Sequence, residues 1–190
     1  MYSKVMAWVA VDRAIRLARA LGLSAPLERW LALRREIRAR IDTNGVDPGT
    51  GAFVQAFGSS ALDASTLLIP LVHYVKPSDP RVRATVERIA AELTRDGLVY
   101  RYRGTDDGLA GGEGTFLICS FWLVDNLVVT GQTERARALF ERLLSYANDV
   151  GLFAEQLDPA SGEQLGNFPQ AFSHMGLINS AIQLQRGGEP

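Results

Sequence analysis

The chain has 190 residues, of which 47% are hydrophobic and 22% are charged, and this composition excludes a disordered protein. Twenty Lys and Arg residues against 21 Asp and Glu leave a net charge of −1, so there is no basic excess for a nucleic-acid backbone or a membrane surface. One cysteine and two histidines are too few for a disulfide framework or a His/Cys metal cluster, and no apolar run approaches the ~20 residues of a membrane span. Because Asp12 and Arg13 interrupt the first apolar stretch, no secretion signal is expected, and we predict a soluble cytoplasmic protein without nucleic-acid or membrane partners.

Apolar periodicity predicts an all-α chain of seven helices with almost no strand. The predicted ranges in chain order are 2–21, 25–41, 62–74, 80–95, 115–130, 133–146 and 170–184. The third, fifth and seventh helices are mostly apolar, whereas the second, fourth and sixth carry a charged face. A helix that is apolar all round is buried on every side, so this alternation predicts an inner and an outer layer of helices.

The connections between the predicted helices have two lengths. Those that leave inner helices are short, whereas those that enter inner helices are long and span 42–61, 96–114 and 147–169. Because successive helices of such an array run antiparallel, the three long loops must lie at the same end. Loops longer than about 12–15 residues are uncommon unless they are functional, so this end is predicted to hold a site.

The third long loop contains two Glu-Gln pairs, which begin at Glu155 and Glu163. Residues 158–162 between them, Asp-Pro-Ala-Ser-Gly, have the composition of a tight turn that would fold the two pairs back beside each other. The residues alone leave two interpretations open. The pairs hold either two solvated loop glutamates or a carboxylate positioned for general acid or base chemistry.

The second long loop alternates tyrosine and arginine at Tyr100–Arg103 and then becomes rich in glycine. Its aromatic, Arg and Asp side chains suit a sugar, which offers hydroxyl groups and an apolar ring face. In the alternative interpretation, Arg101 or Arg103 pairs with Asp106 or Asp107 and only fixes the loop. No Gly-Lys-Ser/Thr motif or Rossmann frame accompanies the glycines, so a phosphate loop is not predicted.

Three further side chains are expected to have structural roles. Asp63 starts the third predicted helix, where its charge favours the helix dipole. His174 has no partner at metal or triad spacing and is expected to be a hydrogen-bonded core histidine. Cys119 lies inside the apolar fifth helix and is predicted to be a core residue and not a nucleophile.

Residues 154–165 (Ala-Glu-Gln-Leu-Asp-Pro-Ala-Ser-Gly-Glu-Gln-Leu), followed by 167–174 (Asn-Phe-Pro-Gln-Ala-Phe-Ser-His), form the most specific motif of the chain. This motif resembles the C-terminal catalytic signature of glycoside hydrolase family 15, the glucoamylases and their bacterial relatives. Residues 113–122, 2–8 and 62–65 also resemble bacterial members, and the resemblance runs from about residue 2 to residue 181.

The resemblance implies an (α/α)6 toroid, in which six inner helices are ringed by six outer ones and the site lies where long loops enter the inner helices. It also implies inverting hydrolysis of an α-glucoside, a maltose-type oligosaccharide or trehalose, with no cofactor and no metal. In that mechanism one carboxylic acid protonates the leaving oxygen, and one carboxylate activates a water on the other face of the sugar.

By position in the motif, Glu155 matches the general base of the family. Glu163 matches a second acidic position with a structural role. Arg101 or Arg103, together with Asp107, falls where the family holds the non-reducing sugar, and the two arginines are not separated by the sequence. Glu113 completes the set of substrate-binding residues that the resemblance implies.

The resemblance also implies that part of the family's catalytic domain precedes this sequence. The family's general acid is a Glu in a Trp-Glu segment just before the helix that matches 2–21, and this helix starts without an N-cap residue. We therefore expect residues 1–190 to be the C-terminal part of the catalytic domain, a partial toroid that lacks the N-terminal half and the acid. Such a chain would hydrolyse little or no substrate, and its exposed inner helices would favour self-association.

The leading expectation is thus a glucoamylase-type hydrolase. The alternatives are a trehalase of the same family and a non-catalytic carbohydrate-binding remnant. Another α-toroid, such as a terpene cyclase, is disfavoured because the sequence has no aspartate-rich metal motif.

Overall fold

The computed structural model describes residues 1–103 and 114–187, and over these ranges the chain is mainly helical. Its helices are α1 Tyr2–Ala20, α2 Leu27–Asn44, α3 Leu68–Leu71, α4 Pro80–Glu92, α5 Leu117–Val129, α6 Thr133–Leu144 and α7 Ala171–Gly187. Its short strands are β1 Thr94–Arg95, β2 Leu98–Val99, β3 Thr115–Phe116, β4 Gln156–Leu157 and β5 Gln164–Leu165. Each predicted helix therefore has a counterpart within the described ranges.

The helices form the two layers that the apolar pattern predicts. Nine of the 13 residues of α5 are buried, whereas α2 buries one residue and α6 buries two. On α1, the buried Asp12 is ion-paired with Arg16 and with Arg34 of α2, each at 2.7 Å, and this contact ties the first helix to its outer neighbour. The inner and outer assignment is confirmed for α5, α2 and α6.

The seventh helix lies against α5 with one side and leaves the other side uncovered. Gly176 allows the close approach, because a Cβ atom there would lie 2.9 Å from side-chain atoms of Phe121 and Ile118. Four large apolar side chains on the other side are 40–64% exposed: Phe172, Met175, Ile178 and Ile182. The apolar side of α7 that faces away from α5 is therefore open to solvent.

The third helix is much shorter than the predicted range of 62–74, which is wrong at both ends. The chain forms a 3-10 turn, Ala64–Leu67, followed by the single turn of α3. Pro70 has no N–H to give to a regular helical ladder, and its ring crowds the preceding turn. His73 then takes a φ of 62°, the left-handed region that ends a helix.

Two small antiparallel sheets are present that the helix pattern did not predict. The fourth helix ends at Glu92 and not near residue 95, because β1 and β2 form a hairpin around Asp96 and Gly97. Both turn residues have positive φ, 53° and 83°, as a type I′ turn requires. The second sheet has the order β3-β4-β5, and its β4–β5 hairpin contains the tight turn predicted at 158–162.

The described helices include none that combines the length and the apolar character of a membrane span.

Candidate active site

One cavity of about 410 Å³ opens at the end of the molecule where the long loops reach the inner helices. It is lined by α1, the 3-10 turn, α5, α7 and the loops before α5 and α7, through these residues: Tyr2, Ser65, Arg101, Phe116, Ile118, Trp122, Glu155, Gln170, Phe172, Ser173, Met175 and Asn179. A concave site with aromatic walls and a few converging polar groups is typical of a small-molecule site. The residues next to each long loop meet here, as the antiparallel arrangement predicts.

The main chain of Glu155 is held from two sides at this cavity. Its N–H donates to the carbonyl oxygen of Asn167 at 2.9 Å, and its carbonyl accepts from the N–H of Leu117 at 3.1 Å. The first bond joins it to the segment before α7, and the second joins it to the first residue of α5. Glu155 therefore takes its position from two inner helices at once.

The carboxylate of Glu155 is held by one residue. Oε2 accepts from the side-chain amide of Asn167 at 2.8 Å and from its backbone N–H at 3.3 Å. Gly166, with a φ of 76°, leaves room for this group, since a Cβ atom there would lie 3.0 Å from Oε2. Glu155 is thus a half-buried glutamate whose carboxylate is held in one orientation at the cavity.

In the second Glu-Gln pair, the glutamine side chain makes the structural contacts. The Oε1 of Gln164 accepts from the N–H of Ala154 at 2.6 Å, and its Nε2 donates to the carbonyl of Tyr146 at 3.1 Å. This side chain anchors the segment just before Glu155. Glu163 is exposed on the turn and does not line the cavity, so the solvated-glutamate interpretation describes it.

The two candidate arginines differ in their position relative to the cavity. Arg101 lines the cavity, and its Nε is buried, lies 4.0 Å from the carboxylate of Asp63 and has no hydrogen-bond partner among the described residues. Arg103 is exposed, with its guanidinium 4.4 Å from the ring of Tyr100. The other predicted sugar-binding residues, Asp107 and Glu113, lie outside the described residues.

Asp63 and Ser65 fix the entry to the third helix. The carboxylate of Asp63 accepts from the N–H of Ser65 at 2.8 Å, so it caps the 3-10 turn as well as placing charge there. The hydroxyl of Ser65 is buried on the cavity and has no hydrogen-bond partner within the described ranges. Ser65 belongs to the family-like segment 62–65, but the sequence alone assigned it no role at the site.

His174 and Cys119 have the structural roles predicted for them. The Nδ1 of His174 lies 2.7 Å from the carbonyl oxygen of Gln170, and its Nε2 accepts from the N–H of Phe153 at 3.4 Å. Cys119 is 1% exposed in the core. Among residues 1–103 and 114–187, no group of three or more His, Cys, Asp or Glu side chains could hold a metal ion.

A buried carboxylate lies further along the groove between α5 and α7. Asp125 accepts from the hydroxyl of Ser180 at 2.6 Å and lines a second cavity of about 520 Å³ together with His73 and Arg186. Burial raises the pKa of Asp125 to about 6, and the hydrogen bond from Ser180 opposes this rise. Trp122 and Asn179 line both cavities, so the second cavity lies next to the first.

A sequence model for the glycosyl hydrolases family 15 matches residues 1–182 of this chain. The chain belongs to glycosyl hydrolase family 15. The curated proteins that this chain is similar to include trehalases. The trehalase of Mycobacterium tuberculosis is 54% identical over 189 residues, which are 98% of this chain and 28% of that protein. The trehalase of Thermoplasma acidophilum is 44% identical over 184 residues, 97% of this chain and 32% of that protein.

Solved structures of glycosidases share the fold. A glycosidase variant in complex with glucose has a TM-score of 0.80 and 26% identity, and it is matched over 97% of this chain and 51% of its own. The family 15 glucoamylase from Hypocrea jecorina has a TM-score of 0.72 at 12% identity, over 100% of this chain and 42% of its own. The predicted (α/α)6 arrangement is therefore confirmed. The chain spans about a third or less of the length of the curated relatives it matches, and about half of the length of these solved structures.

Proposed function

We propose that this chain supplies the general-base side of a family 15 active site that hydrolyses trehalose to two glucose molecules with inversion. The observation that carries the proposal is the carboxylate of Glu155, held by Asn167 on the cavity where the long loops meet. The trehalase alternative is favoured over the glucoamylase-type reading because the curated relatives at 54% and 44% identity are trehalases.

The proposed reaction uses Glu155 as the acceptor of a proton from water. The water oxygen bonds to the anomeric carbon of one glucose unit while the glycosidic C–O bond breaks on the opposite face of the ring. The proton of the water passes to the carboxylate of Glu155, and a carboxylic acid gives a proton to the leaving oxygen of the second glucose. Glu155 is the one carboxylate that lines this cavity within the described ranges, so we propose that the acid lies outside them.

The other cavity residues fit the binding of a glucose unit. The buried Nε of Arg101 and the hydroxyl of Ser65 are polar groups that need a partner, and sugar hydroxyls supply both donors and acceptors. The aromatic ring of Trp122 offers a surface for the apolar face of the sugar. Roles for Arg103, Asp107 and Glu113 stay predictions.

A hybrid enzyme tests this proposal. In the hybrid, residues 1–190 of this chain replace the matching segment of the Mycobacterium tuberculosis trehalase, because the chain spans 28% of that protein. We expect the hybrid to hydrolyse trehalose in preference to maltose. Inversion predicts that α- and β-glucose appear first in equal amounts, because the attacked unit becomes β while the released unit stays α. Formation of α-glucose alone, or a preference for maltose, would contradict the proposal.

A further inference from the structure

Within the described residues, the side chain and the backbone of Asn167 make hydrogen bonds only with Glu155. Its amide nitrogen and its backbone N–H both donate to Oε2, at 2.8 and 3.3 Å. Its carbonyl accepts from the N–H of Glu155 at 2.9 Å. Within the described residues the amide makes no other hydrogen bond, and Oε1 of Glu155 accepts none.

We infer that Asn167 is a positioning residue that fixes the orientation of the Glu155 carboxylate, an inference that rests on the proposed role of Glu155 as the base. A carboxylate with one oxygen held by two donors cannot rotate freely about its terminal bond. Oε1, which accepts no hydrogen bond within the described residues, is then the oxygen left to take the proton of the water. An amide is also the suitable donor here, because it cannot lose its proton and it stabilises the charged carboxylate.

The surroundings of Asn167 exclude a packing role for its side chain. Asn167 is exposed, so core packing does not require an asparagine at this position. The neighbouring Gly166 leaves the space that the carboxylate occupies, and a larger residue would displace Oε2. Removal of the Asn167 amide should therefore free the orientation of the Glu155 carboxylate and leave the fold intact.

The first test uses the chain itself and measures motion directly. Carbon-13 relaxation of glutamate side chains gives order parameters for Glu155 and, in the same sample, for the exposed Glu163. In Asn167→Ala and in the isosteric Asn167→Asp, which keeps the shape but loses the donor, we expect the order parameter of Glu155 to fall and that of Glu163 to stay unchanged. Asn148→Ala is the matched control, since Asn148 caps the N–H groups of Val150 and Leu152 in the same loop without contacting Glu155.

The second test measures turnover of trehalose by the hybrid. We expect Asn167→Ala and Asn167→Asp to lower kcat by about 10- to 100-fold with KM nearly unchanged, because a misplacement on the order of 1 Å costs roughly 10²-fold in rate. In a Glu155→Gln background, Asn167→Ala should cause no further loss. A merely structural role would instead lower the activity of that background again.

Different results would contradict the role of Asn167 and the role of Glu155. If Glu155→Gln abolishes turnover but Asn167→Ala leaves kcat and the order parameter of Glu155 unchanged, the inference about Asn167 is wrong and the proposed base stands. If Glu155→Gln keeps full activity, the proposed function is wrong, and the inference falls with it. If the hybrid does not fold, the order parameters in the chain itself decide whether Asn167 fixes the carboxylate.

Discussion

The buried carboxylate of Asp125 makes a prediction about stability that can be worked from the structure. Asp125 is 6% exposed on α5, and burial raises its pKa from the ordinary value of 3.8 to about 6. Because the folded state holds this proton more tightly than the unfolded state, the free energy of unfolding falls as the pH rises from about 4 to about 6. Above that window the folded protein carries a buried charge whose neighbour on α7 is the hydroxyl of Ser180.

The magnitude follows from the difference between the two pKa values. A difference of about 2 corresponds to about 3 kcal/mol at pH 7.5, at about 1.36 kcal/mol for each pKa unit. At pH 4.5 the folded state is already protonated and the unfolded state is only partly ionised, so the cost is about 1 kcal/mol. Asp125→Asn removes the charge and keeps the oxygen that accepts from Ser180. We therefore expect this variant to be more stable than the wild type, by about 3 kcal/mol at pH 7.5 and about 1 kcal/mol at pH 4.5.

Urea unfolding at the two pH values checks this prediction. The control is Asp149→Asn, because Asp149 is exposed and its replacement should change the free energy of unfolding by less than about 0.5 kcal/mol at either pH. The reasoning is refuted if Asp125→Asn destabilises the chain at pH 7.5, or if its effect is the same at both pH values.

Two further predictions concern α7. A methyl group at Gly176 would lie 2.9 Å from Phe121 and Ile118, so Gly176→Ala should lower the free energy of unfolding by about 1–3 kcal/mol, measured by urea unfolding. An unchanged urea midpoint would contradict this, because it would show that α5 and α7 can move apart without a loss of stability. Met175 and Ile178 are each 55% exposed on the uncovered face, so the isolated chain should self-associate, and Met175→Ser with Ile178→Ser should make it monomeric in sedimentation velocity. A wild-type chain that is already monomeric at 100 µM would contradict this.

The helical layers could be predicted from sequence because a helix that is buried on all sides differs in composition from a helix with one solvent-exposed face. The buried residues of α5 and the charged face of α6 carry that signal directly. The third helix was predicted too long because its apolar run continues through Pro70, and an apolar run does not show where the backbone ladder breaks. The β1–β2 hairpin was missed although Asp96-Gly97 is a typical hairpin dipeptide, because the helical pattern before it extended into the first strand.

The candidate site was predictable in part. The motif pointed to Glu155, and the turn at 158–162 followed from its composition. Arg101 and Arg103 are two residues apart, so a regular extended segment would place them on the same side, and the sequence pattern does not distinguish them. In the structure the chain bends at both residues, and a long-range bond holds Arg101 in place: its carbonyl accepts from the N–H of Ala64 at 2.7 Å. The amide of Asn167 likewise gains its role only through a contact twelve residues away in the chain.

The central claim is that Glu155 is the base, and the turnover of trehalose by the hybrid with Glu155→Gln tests it most directly. The matched control is Glu163→Gln, the same change at the exposed glutamate of the same hairpin. We predict that kcat of Glu155→Gln falls by about 10²- to 10⁴-fold, as expected for the loss of a general base, while Glu163→Gln keeps the activity of the parent hybrid. Equal activity in the two variants would contradict it.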